Sequence, residues 1–374
     1  MLNLGHRWKD FDPYLLVTTL VLMAFGVVAI WSAEGQEALG LGNLGVRQAI
    51  YGVMGLTLMF LVASFDYRFL ATGAWIIYLA GMVGLVAVSL PQIGVVIAGS
   101  RRWIQVGPIT IQPSEFAKLT TIIALAAFIS SRGPAMAELG NFVVSMLIVG
   151  LPMGIVFLEP DLGSSLVFGA IWAAMVLMVA RTRMLYFGAL ALLAAPAFVT
   201  AWRFVFHDYQ KERLLVSYNP SLDPLGEGFN IMQARISIGS GGLFGAGLAG
   251  GTQSQLNLLT VKESDFIFAH VSGMFGFIGM VALLATFLIL IWRCFSVIEV
   301  ARDSFGQCLA AGICGALYFQ AVVNIGMNIG LMPVTGITLP FVSQGSSSVW
   351  TFLAAEGVLQ SIMMHRRRLA FQSG

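Results

Sequence analysis

The chain has 374 residues, of which 58% are hydrophobic and only 10% charged, with a mean hydropathy of +0.86. Ordinary soluble domains carry roughly a quarter charged residues, so this balance excludes a water-soluble globule, a disordered chain and a nucleic-acid-binding domain. The net charge of +2 is too small to argue for an anionic partner, and an all-α polytopic membrane protein remains.

Ten apolar runs follow in order, at about 14–33, 46–65, 69–90, 113–131, 141–158, 162–180, 186–206, 266–292, 307–331 and 345–364. Each approaches the roughly 20 residues that a helix needs to cross a bilayer. Backbone groups in lipid must be satisfied within their own segment, so each run predicts a helix. Met1 to Pro13 carries Arg7, Lys9, Asp10 and Asp12, and no small-residue cleavage site follows. It predicts a first anchor and not a removed signal peptide. Residues 1–374 read as one integral membrane domain without an internal repeat, which weighs against an inverted-repeat transporter. Cys294, Cys308 and Cys314 have no metal-ligand spacing and read as packing thiols.

Arg68, Arg132, Arg181, Arg183, Arg293 and Arg302 fall in alternate short loops. Arg7, Lys9 and the tail residues Arg366, Arg367 and Arg368 belong to the same side, against Arg47, Arg101 and Arg102 on the other. Positive residues stay inside, so both termini are expected in the cytoplasm. Two outer segments are then long, Pro91 to Gln112 and the extracytoplasmic loop of about 207–265. In the second, Phe229, Met232 and Ile236 share one helical face, which predicts a short helix lying at the membrane surface.

Ionisable residues at membrane depth are costly and mark candidate sites. Glu115 and Lys118 open the fourth run three residues apart, so they share a face and can pair. That pair is either a structural closure of a helix end or part of a polar site. Glu159-Pro160-Asp161-Leu162-Gly163 is either a tight turn with solvated acids or a second part of the site. Lys262-Glu263-Ser264-Asp265 enters the eighth run, where Asp265 is expected in the first helical turn, as a cap or as a functional acid. Pro333 to Ser348 is uncharged and rich in turn and hydroxyl residues, which suits a re-entrant turn or a polar wall. All four stretches fall on the outer side and can converge on one cavity for an anionic head with a lipid tail. No Walker A run, zinc pattern or Gly-x-Ser-x-Gly elbow is present. Ser272, Gly276 and Gly279, with Ala311 and Gly315, make small-residue stripes on the eighth and ninth runs. They predict either a docking face for a partner's membrane helix or packing between those two spans.

Several pieces together resemble the SEDS family (shape, elongation, division and sporulation). They are Arg101-Arg102-Trp103-Ile104, Gln112-Pro113-Ser114-Glu115, Pro160-Asp161-Leu162-Gly163, Ile238-Gly239-Ser240-Gly241-Gly242-Leu243, Asp265-Phe266-Ile267-Phe268-Ala269 and Leu339-Pro340-Phe341. Any one is weak; six in family order are specific, and the ten-span layout agrees along the whole chain. The stretch Gln233 to Gly242, with Gly251-Thr252-Gln253 after it, resembles the elongation branch more than the division branch. The resemblance implies an inverting peptidoglycan glycosyltransferase of the bacterial cytoplasmic membrane. It would polymerise lipid II on the outer face, from a lipid-pyrophosphate-linked disaccharide donor. A class B penicillin-binding protein and other elongation-complex membrane proteins would be its partners, the former docking at spans 8 and 9.

By the same resemblance Asp265 matches the family's catalytic aspartate, proposed as the base. Arg102, Glu115, Lys118 and Asp161 match cavity positions that contact substrate, and Ser343 is expected with them. No organic cofactor is implied; Glu115 would orient Lys118 or help to hold a divalent cation such as Mg2+ or Mn2+. The chain departs from the family at Leu259 to Asp265, where a histidine is lost to Glu263, and at Gln344, where a tyrosine is usual. A carrier that flips the same lipid-linked precursor is the competing expectation. It should present polar groups along the whole crossing path, and the inner half offers few.

Overall fold

The computed structural model describes residues 8–366 apart from 35–39, 41, 98, 108, 181, 207, 249–250, 252, 254–255, 257 and 260. Arg7, Arg181, Thr252, Thr260, Arg367 and Arg368 therefore lie outside the described residues. Each of the ten runs is a helix: α1 Pro13–Ala33, α2 Leu44–Ser64, α3 Phe69–Ser89, α4 Pro113–Arg132, α5 Leu139–Leu158, α6 Leu162–Met178 and α7 Met184–Phe204 lead to the long loop. That loop holds two more, α8 Asp208–Tyr218 and α9 Glu227–Ser240, before α10 Ile267–Val300, α11 Ser304–Asn328 and α12 Ser346–Met364. Eight are long and apolar enough to cross a membrane; α6 has 17 residues, and α12 is not among the eight. The protein is an all-α polytopic membrane protein.

Position in the bundle explains why α12 is less apolar. Of its 19 residues 17 are buried, including Glu356, Gln360 and Ser361, so it faces protein on nearly every side. Peripheral helices show the opposite pattern: Leu147, Leu151 and Leu158 of α5 are exposed, as are Leu192 and Phe204 of α7. An apolar outer face against lipid and a mixed interior is the arrangement the bilayer requires. The three cysteines are free and buried.

The small-residue stripes are covered by the chain itself, which corrects the docking expectation at those residues. A Cβ on Gly315 would stand 2.4 Å from that of Ala174 in α6. Gly276 has φ +64° and breaks α10. Into that break fits the glycine-rich segment 241–247: Ala246 N donates to Gly273 O at 2.9 Å, and Phe277 N donates to Gly242 O at 2.8 Å. The freed helix groups are thus satisfied by a loop that must come close, and glycine permits that approach.

Two features of the outer segments were not foreseen. Pro91 to Gln112 forms an antiparallel sheet, β1 Gly94–Ile97, β2 Ser100–Val106 and β3 Ile109–Ile111, in the order β1-β2-β3. Val95 pairs with Trp103 but Val96 pairs with Arg101, so Arg102 is the extra residue of a bulge. Bulges re-aim a side chain beside a site. In the long loop, α9 forms as the pattern predicts, but Ile231, Ala234 and Ser237 are its packed face, while Met232 and Ile236 are exposed.

Candidate functional site

A cavity of about 600 Å³ opens at the end of the bundle where all four candidate stretches meet. Arg102, Glu115, Asp161 and Asp265 line it together with Ser346, Ser347 and Ser348. Every described lining residue belongs to that end of the bundle or to the loops beside it.

Asp265 stands just ahead of α10, which starts at Ile267, and not inside its first turn as the sequence suggests. Its position is fixed through the backbone. The carbonyl of Asp265 accepts from Asn324 Nδ2 at 3.1 Å and from Asn328 Nδ2 at 3.0 Å. Asn328 also accepts from Ala269 N through Oδ1 at 3.0 Å, which ties the start of α10 to α11. Ser264 Oγ donates to Asp265 Oδ1 at 3.0 Å, and a Cβ on Gly336 would come 3.6 Å from Oδ2. The turn before it holds Val261 at φ +52°, a conformation costly for a β-branched residue. Burial of Lys262 in the same turn lowers its ammonium pKa.

The facing wall is bound side chain to side chain. Asp161 caps α6, accepting from Ser164 N at 3.0 Å, and its other oxygen accepts from Gln112 Nε2 at 3.3 Å. Arg102 Nη1 lies 3.3 Å from Asp161 Oδ2, while Nη2 donates at 2.9 Å to both Pro160 O and Ser100 Oγ. Beside them burial raises the Glu159 carboxyl to about 7, with the Asp161 charge adding to the shift. Lys118 Nζ donates to Glu115 Oε1 at 2.7 Å, as the three-residue spacing predicts.

Two candidates lie off the cavity wall. Lys118 sits beneath Glu115, buried, with its ammonium 5.8 Å from the Phe352 ring centroid. Ser343 is buried in the turn before α12, where its Oγ accepts from Leu339 N at 2.8 Å and donates to Ser264 O at 2.6 Å. It holds the Asp265 turn in place and is not among the residues that line the cavity. Conversely, Arg47, Tyr51 and Arg213 line the cavity without having been singled out. For Arg47 and Tyr51 the signal was available, since they are four residues apart at an outer helix end. Asn324 and Asn328 carry the same signal, two amides one turn apart in an apolar helix.

Among the described residues no three or more His, Cys, Asp or Glu side chains gather as metal ligands. Two of the three cavity carboxylates, Glu115 and Asp161, already pair with Lys118 and Arg102. The protein residues alone therefore do not make a ready cage for a hard cation, which needs several free oxygens.

Residues 13–368 match a family model described as cell cycle protein, covering FtsW, RodA and SpoVE. The chain is 35% identical over 359 residues to the peptidoglycan glycosyltransferase MrdB of Escherichia coli, covering 96% of this chain and 95% of that one. A chain from a peptidoglycan synthase complex that coordinates polymerization and crosslinking superposes with a TM-score of 0.81 at 29% identity, covering 94% of this chain and 97% of the other. The rod shape determining protein RodA of Thermus thermophilus superposes at 0.70 and 27% identity, over 96% and 99% of the two chains.

Proposed function

Given that the chain belongs to the FtsW, RodA and SpoVE family of cell cycle proteins, we propose that it is a peptidoglycan glycosyltransferase, most like RodA. It polymerises lipid II during elongation, with its cavity open to the outer face of the cytoplasmic membrane. The observation that carries this reading is the single outer cavity on which Asp265, Glu115, Asp161 and Arg102 converge. Arg68, Arg132, Arg183 and Arg302 lie at the opposite helix ends, which supports an outward cavity with both termini inside.

In the reaction a sugar hydroxyl of one lipid II attacks the anomeric carbon of another. A glycosidic bond forms, the anomeric carbon–phosphate oxygen bond breaks, and the lipid pyrophosphate leaves with the electron pair. The hydroxyl proton passes to the Asp265 carboxylate, a step that contributes typically about 10²–10⁴-fold. Glu115 lines the cavity floor, and Lys118 paired beneath it neutralises the carboxylate so that it does not oppose the growing charge. A divalent cation, if one takes part, would arrive on the pyrophosphate and meet the cavity carboxylates there. A class B penicillin-binding protein is the proposed partner, and its membrane helix has the exposed Phe277, Ile278, Val281 and Leu288 of α10 to lie against. The flippase alternative lacks support in the lining, since the inner half contributes nothing described.

Purified protein and partner incubated with lipid II should yield glycan polymer. Movement of a lipid II analogue across vesicle membranes with no polymer formed would replace this reading with the carrier.

A further inference from the structure

We propose that Arg47 and the first turn of α12 form the cradle that holds the substrate's lipid pyrophosphate. This rests on the glycosyltransferase reading and gives the pyrophosphate to residues other than Arg102 and Lys118, the cations that the family resemblance places among the substrate contacts. Those two cations are already committed. Arg102 is divided among Asp161, Pro160 O and Ser100, and Lys118 is buried against Glu115. Arg47 lines the cavity, half-buried, and among the described residues its guanidinium has neither an ion pair nor a hydrogen bond.

The structure fixes where the backbone that carries Arg47 stands. Its neighbour Gln48 donates through Nε2 to Ser343 O at 3.0 Å and accepts from Gly345 N through Oε1 at 3.3 Å. One turn on, Trp350 Nε1 donates to Tyr51 O at 3.0 Å. The outer ends of α2 and α12 are therefore pinned together at two levels. Arg47 and Tyr51, four apart on one helical face, both reach the cavity beside Gly345 to Ser348.

The start of α12 supplies the complementary half. Its N-cap is Gly345, with no side chain to cap the first-turn amides, and Gly345, Ser346, Ser347 and Ser348 all line the cavity. Uncapped amides and the helix dipole attract an anion. An arginine fork adds two directed donors that match phosphate oxygens. A diphosphate can use both at once, one phosphate on the fork and the other on the amides. A monophosphate can use only one. The cradle thus selects a prenyl pyrophosphate over a prenyl monophosphate.

The test compares binding of farnesyl pyrophosphate and farnesyl phosphate to the full chain in nanodiscs, by calorimetry, for wild type, Arg47→Gln and Arg47→Lys. Losing a charge-assisted fork should weaken pyrophosphate binding about 10- to 100-fold, with monophosphate binding changed far less. Arg47→Lys should recover part of the loss and guards against a folding defect, which thermal unfolding checks directly. With lipid II and partner present, Arg47→Gln should raise KM more than it lowers kcat. Unchanged pyrophosphate affinity, or equal losses for both ligands, would overturn the proposal. So would finding that Arg102→Gln, and not Arg47→Gln, abolishes the preference. The ligand comparison needs no turnover, so failure of wild-type protein and partner to make polymer would count against the glycosyltransferase reading alone.

Discussion

Asp161 and Asp265 face the same cavity from opposite walls, and the chain has committed them in opposite ways. Asp161 is held through its carboxylate, which caps a helix, accepts from Gln112 and pairs with Arg102. Asp265 is held largely through its backbone carbonyl, gripped by two asparagines of α11. The main-chain grip sets where the Asp265 carboxylate stands, whereas at Asp161 the carboxylate itself does the holding. The same residue type can thus be wall in one place and reagent in another.

The sharpest way to break the comparison is to neutralise each acid in turn. Asp265→Asn keeps shape and cannot take a proton, so glycan synthesis should fall by about 100-fold or more while partner binding and folding persist. Asp161→Asn keeps the cap, for which asparagine serves as well, and should cost about 1 kcal/mol through the lost pairing with Arg102, with a smaller loss of rate. Polymerisation assays and thermal unfolding on both variants decide it; a larger rate loss at Asp161 would invert the assignment.

Next in size is the Glu115–Lys118 pair at the floor. Lys118→Met leaves the Glu115 carboxylate buried and unpaired, which typically costs about 3–5 kcal/mol. Adding Glu115→Gln should restore most of that stability. If the pair's field assists departure of the pyrophosphate, the double variant folds well yet polymerises slowly. Full activity in the double variant would make the pair structural only.

The asparagines test whether main-chain grip matters to rate. Asn328→Ala leaves the Ala269 amide without its partner and the Asp265 carbonyl with Asn324 alone. Each buried group left unpaired costs about 1–3 kcal/mol, and kcat should fall with KM nearly unchanged because the base moves and the binding wall does not. A rise in KM alone would place Asn328 in substrate binding instead.

Much of this was legible in the sequence. The ten apolar runs become ten helices, because burying a helix in lipid needs only length and hydropathy. The four polar stretches meet because helices that alternate in direction bring all of them to one end of the bundle. What the sequence could not show is which atoms are already in use. Arg102 and Asp161 look like reagents until the bulge in β2 aims one at the other. Bulges depend on pairing register, which short strands between membrane helices do not advertise. Gly241, Gly245 and Gly251 look like part of a family signature and are also where the loop comes close to the broken turn at Gly276. The small-residue stripes failed as a docking signal because close packing inside the chain uses the same residues as close packing between chains.

Glu159 sets a pH arm on the Asp161 wall. Its carboxyl is raised from an ordinary 4.5 to about 7 by burial first. Below the unfolded value both states are protonated and the full stability is present. As pH rises from about 4.5 to about 7 the unfolded chain ionises while the folded one resists, so stability falls through that window. Glu159→Gln should flatten this slope and unfold at a higher temperature than wild type near pH 8. An unchanged slope would show that the carboxyl is solvated after all.

The smallest effect separates a supporting residue from a binding one on the Asp265 wall. Ser343 bridges Leu339 N and Ser264 O, so Ser343→Ala removes one hydroxyl that serves two buried backbone groups. A typical net hydrogen bond contributes about 1 kcal/mol, and the turn has Gln344 N donating to Glu263 O at 2.9 Å as a second tie. The expected outcome is a modest drop in unfolding temperature with KM for lipid II unchanged and kcat reduced less than in Asn328→Ala. Substrate contact through the hydroxyl would instead raise KM and leave stability alone. That result would return Ser343 to the cavity wall and weaken the view that Asp265 is held from behind by groups that never meet the substrate.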